Sequence, residues 1–301
     1  MHNKSIYYAA GRMALLKQRS MNKEKLDKLL LAPNLDEARK LLVEFGWPDL
    51  GDDELNADKN FSSACKMINE LSVDDALTEC HMLKYDITNI KILLKSSHSL
   101  VKPEALYEYS YLGLEKIKKS IENNSFYSLP FDIAKLIKKL CDKISYSFDP
   151  ALIDITLDKA YYEYAVNHMP KKYKDSIRYF KSKIDFLNFS MLLRLKNKKQ
   201  DWSTAEKYLI KSGNIMFSQL KNAYFSDGVM NSLLKNYPTD IKNVASEAEG
   251  DFSKLSKFEK ITDNYLFNIF ASKRYEIRAE LPIYYLLFKE RETSAVRLIL
   301  A

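Results

Sequence analysis

The residues with the clearest potential for chemistry are a carboxylate and an amide that recur with constant spacing. Asp86 and Asn89 stand three residues apart, and Asp185 and Asn188 repeat this arrangement 99 residues later. On a helix, residues at this spacing share one face, so each pair could act as a polar unit. Two leucines follow each copy at the same distance, which supports true repetition.

We interpret these pairs as architectural, because a catalytic site is rarely duplicated within one chain. We expect each pair to make a helix-to-helix hydrogen bond that fixes packing inside its own part of the chain. A degraded third copy runs from Glu292 to Ala295 near the C-terminal end. There the carboxylate remains as Glu and the amide is replaced by Ala.

Cysteine and histidine offer no recognisable site. Cys65, Cys80 and Cys141 are odd in number and lack paired spacing, which argues against a disulfide framework or a zinc site. Cys80 and His81 are adjacent, but neighbours on a helix point in different directions. We expect a core cysteine beside a surface histidine there.

Motifs of nucleotide chemistry and acyl transfer are also missing from the sequence. Neither Gly11 nor Gly213 belongs to a phosphate-binding loop, and no Gly-x-Ser-x-Gly elbow is present. The carboxylate pairs at 52–53 and 74–75 lie in polar stretches, where we expect solvated turns or helix starts. We therefore predict no catalytic, cofactor-binding or metal-binding residues.

The charge is moderately basic, with a net +7 at pH 7 and a pI of about 8.9. This balance favours an acidic partner or an anionic lipid surface but does not require nucleic acid. The basic run at 194–199 closes a predicted helix, where cations complement the helix dipole. No apolar run approaches the 18 or more residues of a membrane span, and Arg12 interrupts any secretory signal.

The elements that must position the repeated pairs are helices. Only 7 Gly and 8 Pro occur in 301 residues, and apolar residues recur at helical spacing from the first helix at 5–18 onwards. We expect a flexible polar insertion at 240–256. The last predicted helix has no stop signal, so we expect the natural chain to continue past Ala301.

A period near 100 residues is the size of a small domain and is too long for a solenoid repeat. We therefore predict an all-α protein of three similar helical modules in a pseudo-threefold arrangement, at 1–100, 101–201 and 202–301. Asp158 and Tyr161 form a further internal echo, because the stretch at 158–161 resembles the one at 263–266.

Together these residues resemble the C subunit family of bacterial and archaeal V/A-type ATPases, which includes the d subunit of eukaryotic V-ATPases. The resemblance covers essentially the whole chain and lies in the order and spacing of several stretches. Ala295 departs from the family phrase, which favours Asn there. The matching stretches are Tyr-Ala-Ala-Gly-Arg at 8–12, then 85–91, 149–150, 153–162, 183–188 with Arg194, and 284–292.

The resemblance implies a funnel of three helical modules on the cytoplasmic face of a membrane rotor ring. Its cavity would receive the central stalk, and the protein would transmit torque for H⁺ or Na⁺ transport without a catalytic site of its own. The implied partners are the central-stalk subunits and the rotor ring, with no nucleic acid and no membrane span of its own.

Two other readings remain open from the sequence. The first is a stand-alone α-helical adaptor, although the 99-residue period does not fit the short-repeat scaffolds. The second is an enzyme with an unrecognised helical site, which would need a concave pocket holding titratable groups with shifted pKa values.

Overall fold

The structure is a computed structural model that describes residues 5–97, 106–127, 129, 131–146, 148–226, 228 and 230–301. Within these residues every regular element is a helix, which confirms the all-α class. The predicted module boundary at 100–101 lies outside the described residues.

The first seven helices precede residue 148. They are α1 Ile6–Arg19, α2 Lys23–Leu30, α3 Leu35–Glu44, α4 Asp53–Leu71, α5 Asp75–Ser96, α6 Leu114–Glu122 and α7 Phe131–Tyr146. The other seven are α8 Pro150–His168, α9 Lys174–Asn197, α10 Trp202–Tyr208, α11 Phe217–Phe225, α12 Thr239–Gly250, α13 Leu255–Ala271 and α14 Leu281–Leu300. Short 3₁₀ turns cover Met230–Leu234 and Phe252–Lys254.

Side-chain caps fix many of the helix starts. An Asn or Asp precedes the helix and accepts a hydrogen bond from a backbone N–H of its first turn, which has no partner inside the helix. This confirms that the carboxylate pairs at 52–53 and 74–75 mark helix starts. The capping residues are Asn22, Asn34, Asp52, Asp74, Asp149 and Asp201.

The contacts divide the chain into two compact units, Met1–Phe148 with Lys273–Ala301, and Asp149–Ser272. In the first unit α14 packs along α4 and also touches α1 and α2, while α5 contacts α4 and α6. One apolar core there joins the early helices to α14. Its buried members are Met21, Leu29, Ala38, Leu42, Trp47, Ala57 and Val296.

The second unit is built around α9, which contacts α8, α10, α11 and α13. Its core is rich in aromatic rings that meet edge to face, such as Phe186 on Phe258 with ring centroids 6.0 Å apart. Such pairs add to the stabilisation from buried area. The units cut across the predicted modules, because α6, α7 and α14 all lie in the first.

The expectation of a flexible insertion at 240–256 is wrong. Residues 239–250 form α12, which packs on α13 and on the 3₁₀ turn at Met230–Leu234. Ile241, Val244, Ala245 and Ala248 are buried at helical spacing. The stretch is polar on average because only one of its faces is apolar.

Candidate functional site: a carboxylate clamp in each repeat

The first repeated pair lies on α5 and holds the chain segment that precedes α6. Asp86 is fully buried, and its two carboxylate oxygens accept hydrogen bonds from the backbone N–H groups of Tyr111 and Leu112, each at 2.9 Å. One turn further along, Asn89 donates to the carbonyl of Tyr107 at 3.0 Å and accepts from its N–H at 2.8 Å. We call this set of contacts the first clamp.

The first clamp satisfies backbone groups that have no helix to serve them, since 106–113 is irregular. Burial raises the pKa of Asp86 to about 6, against the lowering effect of hydrogen bonds from Ser110, Leu112 and Tyr111. Burial of the charged carboxylate is therefore costly, and the hydrogen bonds that it accepts offset part of that cost.

The second repeated pair, on α9, makes the same kind of contact with the segment before α11. Asp185 is fully buried, and its Oδ1 accepts from the backbone N–H of Asn214 at 2.9 Å and of Ile215 at 3.1 Å. Asn188 donates to the carbonyl of Ile210 and accepts from its N–H, both at 2.8 Å. These contacts form the second clamp.

Two residues beyond the repeated pair complete the second clamp. The Tyr237 hydroxyl donates to Asp185 Oδ2 at 2.6 Å, and burial together with this carboxylate raises the pKa of Tyr237. Gly213 lies against Asp185 so closely that an added Cβ would overlap Oδ1. In the first clamp Ser110 occupies the position matching Gly213, and it supplies the hydroxyl donor that Tyr237 supplies here.

The two clamps keep one register although the connections they hold differ in length. Asn89 is 18 residues from its partner Tyr107, whereas Asn188 is 22 residues from its partner Ile210. The aspartates show the same difference of four: the first N–H donor lies 25 residues after Asp86 and 29 residues after Asp185. Four extra residues are therefore absorbed between the helix and the clamped segment.

The degraded third copy forms a related contact with the start of the chain. Glu292, on α14, is buried, and its Oε1 accepts from the Met21 backbone N–H at 3.4 Å. Its Oε2 pairs with the buried Lys289 at 2.9 Å. Met21 stands two residues before α2, as Leu112 stands two residues before α6 and Ile215 two before α11. We call this the third clamp.

The register of the third clamp explains why Ala295 can replace the amide. In the first two clamps the asparagine binds a residue four positions before the first N–H donor, in irregular chain. The matching residue in the third is Leu16, which lies inside α1. Its N–H is bonded within the helix and its carbonyl accepts a hydrogen bond from the Ser20 hydroxyl at 2.9 Å, so an asparagine would have little left to satisfy.

Two expectations need correction. The repeated pairs do not bond helix to helix, because their backbone partners lie in the irregular segments at 106–113 and 209–216, and Tyr237, which also binds Asp185, lies between helices. His81 is not at the surface: it is 2% exposed, and burial lowers its pKa to about 3, with Lys84 a smaller cause. The reason is that α5 is covered on most sides, so Cys80 and His81 are both buried.

The other predicted repeat positions lie outside the clamps. Asp158 is partly buried on α8, and Tyr161 packs edge to face on Phe180 with ring centroids 6.2 Å apart. Arg194 forms a half-exposed ion pair with Glu259, 2.7 Å long, between α9 and α13. These residues contribute to packing in the second unit.

Charged contacts that the sequence does not indicate tie α14 to the early helices. Arg297 pairs with Glu54 at 2.7 Å and with Asp58, both on α4. Lys84, on α5, pairs with Glu290 at 2.5 Å. More than 200 residues separate these partners along the chain, so no local pattern marks them.

The arrangement holds irregular backbone segments in place. Among the described residues, no group of three or more His, Cys, Asp or Glu could hold a metal ion. Nor does any helix in the described part of the chain combine the length and apolar character that a membrane crossing needs. Each clamp directs a buried carboxylate at backbone N–H donors.

Comparison with known proteins identifies the family. The A-type ATP synthase C subunit of Pyrococcus horikoshii is 23% identical over 238 residues, covering 74% of this chain and 63% of that protein. The match thus spans less than two thirds of the relative's length. The sequence profile described as "ATP synthase (C/AC39) subunit" matches residues 9–301. The chain therefore belongs to the ATP synthase (C/AC39) subunit family, the C subunit family of the V/A-type ATPases.

Proposed function

We propose that this chain is a non-catalytic rotor subunit of a V/A-type rotary ATPase. It acts as a socket that links the central stalk to the membrane rotor ring at the cytoplasmic face, and it transmits torque for H⁺ or Na⁺ transport. Its three modules, 1–100, 101–201 and 202–301, repeat one helical design. Family membership supports this role.

The observation that carries the proposal is the common register of the three clamps. The first long-helix carboxylate, Asp86, holds the segment entering the second module, and Asp185 holds the segment entering the third. Glu292, in the third module, returns to the segment before α2 in the first. A part that carries torque must not bend at its joints, and each clamp fixes one joint with buried hydrogen bonds.

Helix packing supports the same reading. The helix that carries Asp185, α9, packs on α13, the first long helix of the next module. The helix that carries Glu292, α14, packs on α4, the first long helix of module one. In both cases the contact runs from one module to the next, with the third returning to the first. Such interlocking resists separation of neighbouring modules.

Co-purification with the stalk tests the proposal. The purified chain is mixed with the central-stalk subunits of its own organism, and separately with the detergent-solubilised rotor ring. We expect capture of both, with at least one contact weakening between about 50 mM and 500 mM salt because the chain carries a net +7. Failure to capture the stalk at any of these salt concentrations would refute the role.

A further inference from the structure

A pocket lies between α7 and the segment that joins α6 to α7. Its volume is about 370 Å³, which is within the range of sites that hold one small chemical group. It is lined by 124–127 and Leu129 on the connecting segment, and by Ala134, Lys135 and Lys138 on α7. All of these residues belong to the first compact unit.

Tyr127 exposes almost its whole side chain beside this pocket. It is 97% exposed, whereas its neighbours Phe126 and Leu129 are 5% and 6% exposed. These two buried residues anchor the connecting segment on either side of the tyrosine. An exposed aromatic ring with a polar tip is the kind of side chain that lies at the boundary between water and lipid headgroups.

The charged side chains that line the pocket are both cationic. Among the described residues, Lys135 and Lys138 line it and no carboxylate does. Lys135 also begins a stripe in which Lys139 and Lys143 follow at intervals of four residues, and all three are exposed. Like charges at this spacing repel one another on a helix, so an anionic surface opposite them would relieve the repulsion.

The apolar face of α7 fixes the direction in which these lysines point. Its buried residues recur at helical spacing, and they are Ile133, Ile137, Leu140 and Ile144. The opposite face is therefore turned to solvent. It carries four lysines together with Asp132 and Asp142, both of which lie outside the pocket lining. The exposed face of α7 thus has an excess of positive charge, concentrated at the pocket and along the stripe.

We propose that this pocket and the lysine stripe of α7 bind the anionic phospholipid surface of the membrane, an inference that rests on the proposed function to bring the chain there. The pocket receives the phosphate of one headgroup at Lys135 and Lys138, and Tyr127 lies among the neighbouring headgroups. Lys139 and Lys143 face further anionic lipids along the helix. Lysine is depleted in protein–protein interfaces, so a lipid surface fits this face better than a protein partner does.

Vesicle co-sedimentation tests the inference with the full chain. The vesicles are made of phosphatidylcholine alone or of phosphatidylcholine mixed with phosphatidylglycerol, and we expect binding to the mixed vesicles only. Lys135→Gln combined with Lys138→Gln should weaken this binding by about 25-fold, at about fivefold for each lysine near the surface. The matched control is Lys257→Gln combined with Lys260→Gln, which removes two exposed lysines at the same spacing on α13 and should leave binding unchanged.

The aromatic contact has its own variant and control. Tyr127→Ser should weaken binding to the mixed vesicles by about threefold, while Tyr275→Ser, at another exposed tyrosine in a turn, should not. In Tyr127→Trp, the mixed vesicles should shift the fluorescence to the blue, beyond any change in the unaltered chain. Thermal unfolding should be the same in all of these variants, because the replaced side chains are exposed.

Several results would overturn the lipid assignment. One is equal binding to both kinds of vesicle or to neither, and another is an equal effect of the two double variants. Release of the chain by millimolar glycerol phosphate would indicate a site for a soluble anion instead. Loss of rotor-ring capture in the Lys135 and Lys138 double variant, with vesicle binding unchanged, would assign this surface to the ring protein.

The proposed function is tested separately, by capture of the stalk and the ring. If the unaltered chain captures both and the vesicle results fail, the lipid assignment is wrong and the rotor role stands. If the vesicle results are as expected and the stalk is never captured, the rotor role is wrong and the lipid-binding surface stands.

Discussion

Replacing each clamp aspartate by asparagine should affect the two clamps unequally. In the first clamp the two oxygens of Asp86 each accept from a different backbone N–H, those of Tyr111 and Leu112. Asparagine has only one oxygen, so its NH₂ must face a backbone donor that cannot rotate away. In the second clamp Asp185 Oδ1 accepts both backbone N–H groups, so an amide oxygen can keep them both.

The second oxygen of Asp185 meets partners that can adapt. Oδ2 accepts from the Tyr237 hydroxyl and from the Asn214 side-chain amide, at 2.6 and 2.9 Å. The hydroxyl can turn to accept a hydrogen bond, and the exposed amide can flip. Burial raises the pKa of Asp86 and of Asp185, so relief of charge burial is common to both changes.

The difference in destabilisation between the two variants thus isolates the cost of one unsatisfied backbone donor, which is about 1–3 kcal/mol. We expect Asp86→Asn to destabilise its clamp by about that much more than Asp185→Asn destabilises its own. Amide hydrogen exchange of 106–113 and 209–216, followed by mass spectrometry, reports on each clamp separately. The equilibrium constant for local opening changes about tenfold for every 1.4 kcal/mol. Equal acceleration, or more in the second clamp, would refute the reasoning.

Three more outcomes can be measured on the same protein. Because the pKa of Asp86 is raised from 3.8 to about 6, its contribution to stability is full below about pH 4 and is lost as pH rises through 6, by up to ~3 kcal/mol. The urea midpoint of the unaltered protein should therefore fall between pH 5 and pH 7, and this fall should be smaller in Asp86→Asn. Gly213→Ala should destabilise the protein by about 1–3 kcal/mol through overlap with Asp185, while Gly250→Ala should not; thermal unfolding distinguishes them. Titration with Mg-ATP should give no saturable heat, since no phosphate-binding loop is present in the sequence, and micromolar binding would contradict a non-catalytic role.

Much of the helical framework can be predicted because its signals are local. The stripe 35, 38, 41, 42 and 45 and the cap at Asn34 lie within one short stretch, and α3 forms there. The apolar spacing of the last helix is equally visible in the sequence, and α14 begins at Leu281. Such signals depend on residues three or four positions apart, which one sequence displays directly.

The clamp partners cannot be predicted in this way because backbone groups have no sequence signature. The N–H of Leu112 resembles any other N–H until the fold brings it to Asp86. Tyr237 reads in the sequence as one more apolar position, yet its hydroxyl is a donor to Asp185 across 52 residues. The repeat offset does mark the aspartates as a unit, and only their partners require the structure.

The third clamp explains how a repeat can lose one of its two polar residues and still hold a backbone segment. Its carboxylate is kept as Glu292, since the Met21 N–H before α2 still needs an acceptor. Its amide is lost as Ala295, because the Leu16 backbone groups that the amide would bind are already satisfied by α1 and by the Ser20 hydroxyl. The Glu side chain, one methylene longer, also reaches Lys289 in the same buried place. What the three repeats share is therefore a requirement to satisfy particular backbone groups. A repeat residue can change where another group already satisfies the backbone that it would bind.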